Sequence, residues 1–255
     1  MPYFERLDDE TFRPTDDVQG AWNTAEQHIA PALGLIGHVL EREHRGRGGA
    51  LQLSRVSYDI LGTLPMEEVS VTARVLRPGR TIELTEAVLS HAGRPAVIAR
   101  AWFLQTGDTT ALAGTATAAA APRHEVPPWE AAGDWPGRYV ASAEIHRQQT
   151  EPGRALIWVR PRLALLDGEE VSTTAHVLGT VDIANGMTPR VDPARLVFPN
   201  VDTTTHLMRA PQGEWVGFDT TVSFGPEGIG LTHAVLHDEA GPLGVTSQIL
   251  TIRPR

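Results

Sequence analysis

The fold is decided by a stretch that occurs twice, first as Ile82-Glu83-Leu84-Thr85-Glu86-Ala87-Val88-Leu89 and again as Ile229-Gly230-Leu231-Thr232-His233-Ala234-Val235-Leu236. The two copies lie 147 residues apart and are identical at six of eight positions. The same ungapped shift places Val69 on Val216 and Val75 on Val222, upstream of the two copies. A repeat this long indicates two related domains rather than a solenoid, whose units are much shorter.

Each half of the chain begins with a helical pattern. In the first half the segment from Trp22 to His44 carries apolar residues at the spacing of one helical face, namely Ile29, Leu33, Ile36 and Leu40. The corresponding helix of the second half is predicted from Glu169 to Asn185, with Gly186 as its C-terminal stop. Both halves are therefore expected to start with one long helix.

Strands with period-two alternation follow each helix. The first half shows this pattern in 69–75 and 97–103, and the second half in 216–223, 230–237 and 243–252. Short turn signals such as Ala92-Gly93 and Ala240-Gly241 separate them, which favours antiparallel hairpins. The sequence therefore predicts an α+β fold in which each repeat wraps an antiparallel sheet around a largely buried helix.

The domain boundaries follow from composition. An Ala-, Thr- and Gly-rich stretch, followed by Pro127-Pro128 and Pro136-Gly137, is typical of a linker. We therefore predict a first repeat over 1–110, a linker over 111–138 and a second repeat over 139–255.

Composition excludes several kinds of chemistry. The 255 residues include no cysteine, and all 22 basic residues are arginine, so that Cys nucleophiles, Cys-ligated metals and lysine Schiff bases are impossible. A formal charge of −9 argues against nucleic acid or an anionic membrane as a partner. The ten histidines form no H-E-x-x-H or similar ligand motif, so we expect no metal. Without a visible targeting or membrane segment, a cytoplasmic location is the default expectation.

Helix and wrapping sheet, duplicated in one chain, resemble the double hotdog fold. The C-terminal residues sharpen this likeness, because their pattern is similar to the last portion of acyl-CoA thioesterase II and its relatives: Asp202, Arg209, Glu214-Trp215, Gly228-Ile229-Gly230, Gly241, Gln248 and Arg253. The resemblance implies hydrolysis of acyl-CoA thioesters to free acid and CoA, a role in lipid metabolism, and no cofactor. Hotdog sheets often join edge to edge, so a homodimer of double hotdogs is also expected by analogy.

In that family an Asp, a Thr or Ser, and a Gln activate the attacking water. Carried over to this chain, Asp202 and Gln248 match the Asp and the Gln, and Ser223 stands where the family usually has Thr. Thr220 or Thr221 would supply the hydroxyl if the alignment slips. The trio Asp202, Ser223 and Gln248 is chemically suited to hold a water, since carboxylate, hydroxyl and amide groups all accept hydrogen bonds. Backbone N–H groups near Ala21, at the predicted start of the first helix, are the expected oxyanion donors.

Two other functions remain open at the sequence level. One is a hotdog protein that binds acyl-CoA or another acyl thioester without turnover. The other is a hydratase or dehydratase, which would need an Asp/His or His/Glu pair that the sequence does not reveal.

Overall fold

Two similar sets of elements make up the chain, and the computed structural model describes residues 1–255 except for the side chain of Ala132. The first set comprises β1 (Phe4–Arg6), β2 (Thr11–Pro14), α1 (Ile29–Gly46), β3 (Gln52–Ile60), β4 (Val69–Arg77), β5 (Ile82–His91) and β6 (Arg94–Leu104). The second comprises α2 (Arg138–Ser142), β7 (Ala143–Glu151), β8 (Arg154–Pro161), α3 (Thr173–Leu178), β9 (Leu196–Val197), β10 (Asp202–Leu207), β11 (Val216–Phe224), β12 (Ile229–Asp238), β13 (Gly241–Thr251) and β14 (Arg253–Pro254).

Twelve strands form one antiparallel sheet with a mirrored order. The order is β1-β2-β4-β5-β6-β3-β10-β13-β12-β11-β8-β7, so β3 and β10 join the two halves at the centre. A shift of 147 residues carries both bounds of β5 onto those of β12, and both bounds of β6 onto those of β13. The repeat seen in the sequence is therefore a structural duplication, and the predicted α+β architecture is confirmed.

The sheet wraps around α1, which forms the centre of the core. Leu33, Leu35, Ile36 and Leu40 are at most 1% exposed. The burial expected of the first helix is confirmed from Ala30 to Leu40, whereas of its last six residues only His44 is buried. Its apolar residues cover all sides of the helix because sheet and second-half elements surround it.

The first helix begins seven residues later than predicted, at Ile29 instead of Trp22. Proline is tolerated in the first turn of a helix but disrupts its interior, and a helix starting at Ile29 places Pro31 in that first turn. Residues 20–28 instead form a loop held by backbone bonds, including one from the N–H of His28 to the carbonyl of Val18. The later start places His28 at the N-cap.

The second helix is much shorter than the predicted range Glu169 to Asn185. Regular α-helix covers only Thr173–Leu178, and a 3-10 turn over Val181–Ala184 follows after Gly179. Gly179 ends the helix where it crosses α1 against Gly34, and a Cβ on Gly34 would lie only 2.8 Å from Cα of Gly179. The break matters for the site because it redirects the chain just before Asp182.

Only the later part of the segment 111–138 packs against the protein, since residues 111–119 are exposed. The segment contains short 3-10 turns at Thr110–Leu112, Arg123–Glu125 and Ala131–Gly133. Val126 and Trp135 are 2% and 4% exposed, which places both side chains in the interior.

Candidate functional site

A cavity of about 310 Å³ opens where the two halves meet. It lies between the start of α1, the loop after β3, the 3-10 turn that carries Asp182, and the loop before β10. Most of its wall is apolar and includes Trp22, Ile29, Leu61, Leu64, Trp135 and Ile183. An apolar cleft with a few convergent polar groups is the usual form of a small-molecule site.

Asp182 is the buried acid of this cavity. It lies in the 3-10 turn Val181–Ala184 and is 7% exposed. Its Oδ1 accepts a hydrogen bond of 2.7 Å from Nδ2 of Asn200. Burial raises the pKa of Asp182 from 3.8 to about 6, although the Asn200 bond acts in the opposite direction. Asp182 is therefore a carboxylate near neutral pH that accepts a proton more readily than an exposed one.

Asn200 and Gln248 surround this acid with amide groups. Nδ2 of Asn200 also lies 3.2 Å from Oγ1 of Thr203. Nε2 of Gln248 donates to the backbone carbonyl of Asp182 at 3.3 Å and to Oγ1 of Thr203 at 3.4 Å. Its Oε1 is buried without a partner among the described residues. Such an acceptor is typically satisfied by a bound water in a polar site.

His28 approaches the same acid from the other half of the chain. Its Nδ1 lies 3.8 Å from Oδ2 of Asp182 and accepts a hydrogen bond of 3.1 Å from the N–H of Ala30. The side chain borders the cavity and is 11% exposed. Burial lowers the pKa of His28 to about 4, so the imidazole is neutral near pH 7.

Of the three residues expected to form the site, the structure brings only Gln248 to this polar cluster. Asp202 lies on β10 opposite Asp59, and its Oδ1 accepts from the backbone N–H of Ile249 at 2.7 Å. The next residue, Thr203, is fully buried and contacts Gln248. Since successive strand residues face opposite sides of a sheet, Asp202 points away from Gln248 and holds a neighbouring strand instead.

Ser223 is also separated from Gln248. It is exposed on β11 and opposes Leu231 of β12. Its buried neighbour Val222 opposes Thr232 of β12. Thr232 in turn opposes Gln248 of β13. Ser223 thus lies two strands from Gln248 and on the outer face. The alternatives Thr220 and Thr221 do not border the cavity either; Thr220 is buried in the core, and Thr221 donates to the carbonyl of His233 at 3.4 Å.

Sequence reasoning missed Asp182, Asn200 and His28. The sequence does contain a signal for Asp182, because it is the single charged residue of the apolar run Val181-Asp182-Ile183-Ala184. A lone acid in a buried element is a candidate for a functional role, since burial of an ionised carboxylate is costly. Nothing local marks Asn200 or His28, whose roles depend on contacts across the fold.

The position of the first half that corresponds to Asp182 is His38, which contacts an ion pair. His28 and Ser172 are the N-caps of α1 and α3, and ten residues after them stand His38 and Asp182 respectively. Nε2 of His38 lies 3.0 Å from Oε2 of Glu169, which also binds Arg6. The duplicated fold is thus asymmetric in chemistry, since the counterpart of Asp182 is a histidine engaged with an ion pair.

The described residues were compared with the requirements of a metal site and of a membrane-spanning helix. They include no group of three or more histidine and acidic side chains placed to hold a metal ion. No helix among them combines the length and apolar character that crossing a membrane requires.

Comparison with solved structures shows the fold. A hot dog fold protein from Alicyclobacillus acidocaldarius matches with a TM-score of 0.76 at 12% identity, over 97% of this chain and 95% of that chain. Acyl-CoA thioesterase II TesB2 from Mycobacterium marinum matches with a TM-score of 0.67 at 16% identity, over 99% and 96%. The tesB protein of Mycobacterium avium subspecies paratuberculosis matches with 0.70 at 15%, over 98% and 96%. The predicted double hotdog fold is confirmed.

Family models cover most of the sequence. Residues 18–104 match the acyl-CoA thioesterase N-terminal domain, and residues 113–252 match the acyl-CoA thioesterase C-terminal domain. No curated protein sequence matches the chain. The two domain matches follow each other in the order of the structural repeat, and the chain therefore belongs to the acyl-CoA thioesterase family.

Proposed function

We propose that this protein hydrolyses acyl-CoA thioesters in the cavity between its two repeats, with Asp182 as the general base. The observation that carries this proposal is the Asp182 carboxylate itself, buried beside an apolar cavity with its pKa raised to about 6. A base is most effective when its pKa lies near the working pH. Asp182, Asn200 and Gln248 thus take the place that the sequence assigned to Asp202, Ser223 and Gln248.

The reaction needs no covalent enzyme intermediate. Asp182 takes a proton from a water as the water oxygen bonds to the thioester carbon. The tetrahedral intermediate then collapses, the carbon–sulfur bond breaks, and the proton on Asp182 passes to the departing thiolate of CoA. The products are the free acid and CoA, and Asp182 is again a carboxylate.

The neighbouring amides position the acid and the water. The hydrogen bond from Asn200 fixes Oδ1 of Asp182 and leaves Oδ2 for the water. Gln248 does not itself border the cavity; it holds the backbone turn through the Asp182 carbonyl, and its unpaired Oε1 can accept from a water that reaches the polar cluster. The developing oxyanion would lie at the start of α1, where Ile29 borders the cavity and its N–H, unlike that of Ala30, is not used by the His28 cap. This replaces the expectation of donors near Ala21.

The aromatic wall of the cavity suits an acyl group. Trp22 packs edge-on against Trp135 at 4.9 Å between ring centroids and against Phe198 at 5.1 Å. Trp22 and Trp135 both border the cavity. The wall therefore presents rigid apolar surface, which binds hydrocarbon through burial of apolar area.

Free-thiol release from a panel of acyl-CoAs tests the function directly. We expect the wild type to release thiol, and Asp202→Asn and Ser223→Ala to stay close to wild type, because both residues point away from the cavity. These two variants are matched controls for Asp182→Asn. Loss of turnover in Asp202→Asn with an intact fold would restore Asp202 to the mechanism and contradict the present assignment.

The rate should depend on pH through Asp182. Because the base form exists above its pKa of about 6, kcat/KM should be flat at neutral pH and should fall below pH 6 by about tenfold per pH unit. Asn200→Ala removes the hydrogen bond that lowers the pKa of Asp182, so the acidic limb should move to higher pH. An unchanged limb in Asn200→Ala would show that a different group titrates.

A specific observation also supports a second candidate function. The pair His28 and Asp182 faces one cavity from two repeats, and an Asp/His pair is what hydration of an enoyl-CoA would require. Incubation with an enoyl-CoA separates the two reactions. Loss of the double bond without thiol release would identify a hydratase.

A homodimer of double hotdogs, a cytoplasmic location and the domain boundary at the 111–138 segment stay predictions. Analytical ultracentrifugation measures the first, because a dimer has twice the mass of the 27.6 kDa chain.

A further inference from the structure

His28 is the N-cap of α1, and its imidazole also borders the cavity. Nδ1 accepts the N–H of Ala30, which is a common capping contact. The ring also borders the cavity and packs 4.5 Å from the ring of Tyr139. Tyr139 is itself fixed by a hydrogen bond of 2.6 Å from its hydroxyl to the carbonyl of Gly179. The imidazole is therefore held on two sides.

The cap contact fixes the tautomer of His28. An acceptor nitrogen carries no proton, so the single proton of the neutral ring must be on Nε2. No described residue accepts a hydrogen bond from Nε2. Nε2 is also not one of the fully buried polar atoms that lack a partner, so it remains accessible. Nε2–H is thus a donor left for the cavity that the ring borders. Burial supports the neutral form, since the pKa of His28 is lowered to about 4.

The geometry excludes a catalytic triad between His28 and Asp182. In a triad Nδ1–H donates to the acid, whereas here Nδ1 is an acceptor and lies 3.8 Å from Oδ2 of Asp182. His28 cannot pass a proton to this carboxylate through Nδ1. The two residues therefore act on the substrate separately, the acid as a base and the imidazole as a donor.

We propose that Nε2–H of His28 donates a hydrogen bond to the carbonyl oxygen of the bound thioester and stabilises the oxyanion that forms there. This inference rests on the proposed thioester hydrolysis. A neutral, preoriented donor in a site shielded from water stabilises developing negative charge without reorganisation. Placement beside the first turn of α1 adds the favourable field of a helix N-terminus.

His28→Asn separates the donor from the cap. Asparagine is among the best N-cap residues, so α1 and the melting temperature should be preserved. Its amide is shorter than the imidazole and does not extend to the position of Nε2. We expect kcat to fall about 100-fold with KM little changed, since removal of one oxyanion donor has that effect. Ser172→Asn, at the cap of α3, is the matched control and should retain wild-type kcat.

A spectroscopic measurement decides the donor role without turnover. The probe is an acyl-CoA analogue in which a methylene replaces the thioester sulfur, leaving a ketone that cannot be hydrolysed. In wild type the isotope-edited infrared band of the bound ketone should shift to lower frequency, and in His28→Asn this shift should be lost although the analogue still binds. A bound ketone with the same frequency in both proteins would overturn the donor role alone. If wild type neither binds the analogue nor releases thiol from any acyl-CoA, the proposed function and the donor role both fail.

Discussion

Replacing Asp182 by asparagine should lower kcat for acyl-CoA hydrolysis by on the order of 100- to 1000-fold. The variant keeps the shape of the side chain and an oxygen that can accept from Asn200. It loses the group that takes the proton from water. Thiol release under saturating acyl-CoA measures the effect, and binding of the same acyl-CoA should persist because the apolar wall is unchanged.

The same substitution should stabilise the protein at neutral pH. The folded state raises the pKa of Asp182 from 3.8 to about 6, so it holds the proton more tightly than the unfolded chain does. The resulting penalty is absent below pH 3.8, grows as the pH rises to about 6, and is complete above that pH. A shift of this size corresponds to about 3 kcal/mol, or on the order of 10 °C in Tm for a chain of this length.

Melting curves of wild type and Asp182→Asn across pH give a sharp test. The variant should melt higher at pH 7 to 8, and the difference should vanish as the pH approaches 4. A variant that loses both turnover and stability at pH 8 would show that Asp182 holds the fold together rather than acting as a base. Retained turnover would remove it from the mechanism.

The sheet was predictable from the sequence because its causes are local or repeated. Period-two alternation predicts β4, β6, β11, β12 and β13 within a few residues, and the 147-residue shift relates the two halves. The duplication also explains why the strand order is mirrored about its centre, since each hairpin of the first half has its counterpart in the second.

The candidate site was less predictable because its residues are far apart in the chain. His28, Asp182 and Gln248 come from three separate elements, and their proximity depends on how α1 crosses α3. Asp202 was a plausible choice by resemblance, but the pleat directs it to the opposite face from Thr203 and Gln248. One step along a strand is enough to separate a surface position from a buried one, and the buried acid Asp182 lies on a different element.

The second large effect, on stability and turnover together, is expected for a substitution at the crossing of α1 and α3. A Cβ on Gly34 would lie 2.8 Å from Cα of Gly179 and 3.1 Å from the carbonyl oxygen of Ala175. Both neighbours are backbone atoms, so Gly34→Ala must push α3 away from α1 rather than rotate a side chain. We expect a loss of about 1–3 kcal/mol in the free energy of unfolding, as for other overpacked cores. Turnover should fall as well, because Asp182 follows Gly179 by three residues.

Two further glycines of α1 provide graded controls for this prediction. A Cβ on Gly37 would meet Cδ1 of Leu178 at 2.8 Å, and this flexible end can move aside, so Gly37→Ala should cost less than Gly34→Ala. Gly46 has nothing within 4 Å of an added Cβ, and Gly46→Ala should be neutral or stabilise by about 0.4–1 kcal/mol. Urea unfolding and thiol release on all three variants establish the order. If the three variants were alike in stability, close backbone contact at Gly34 would not limit the approach of the helices. If only Gly34→Ala lost both stability and turnover, the crossing of α1 and α3 would be what holds Asp182 at the cavity.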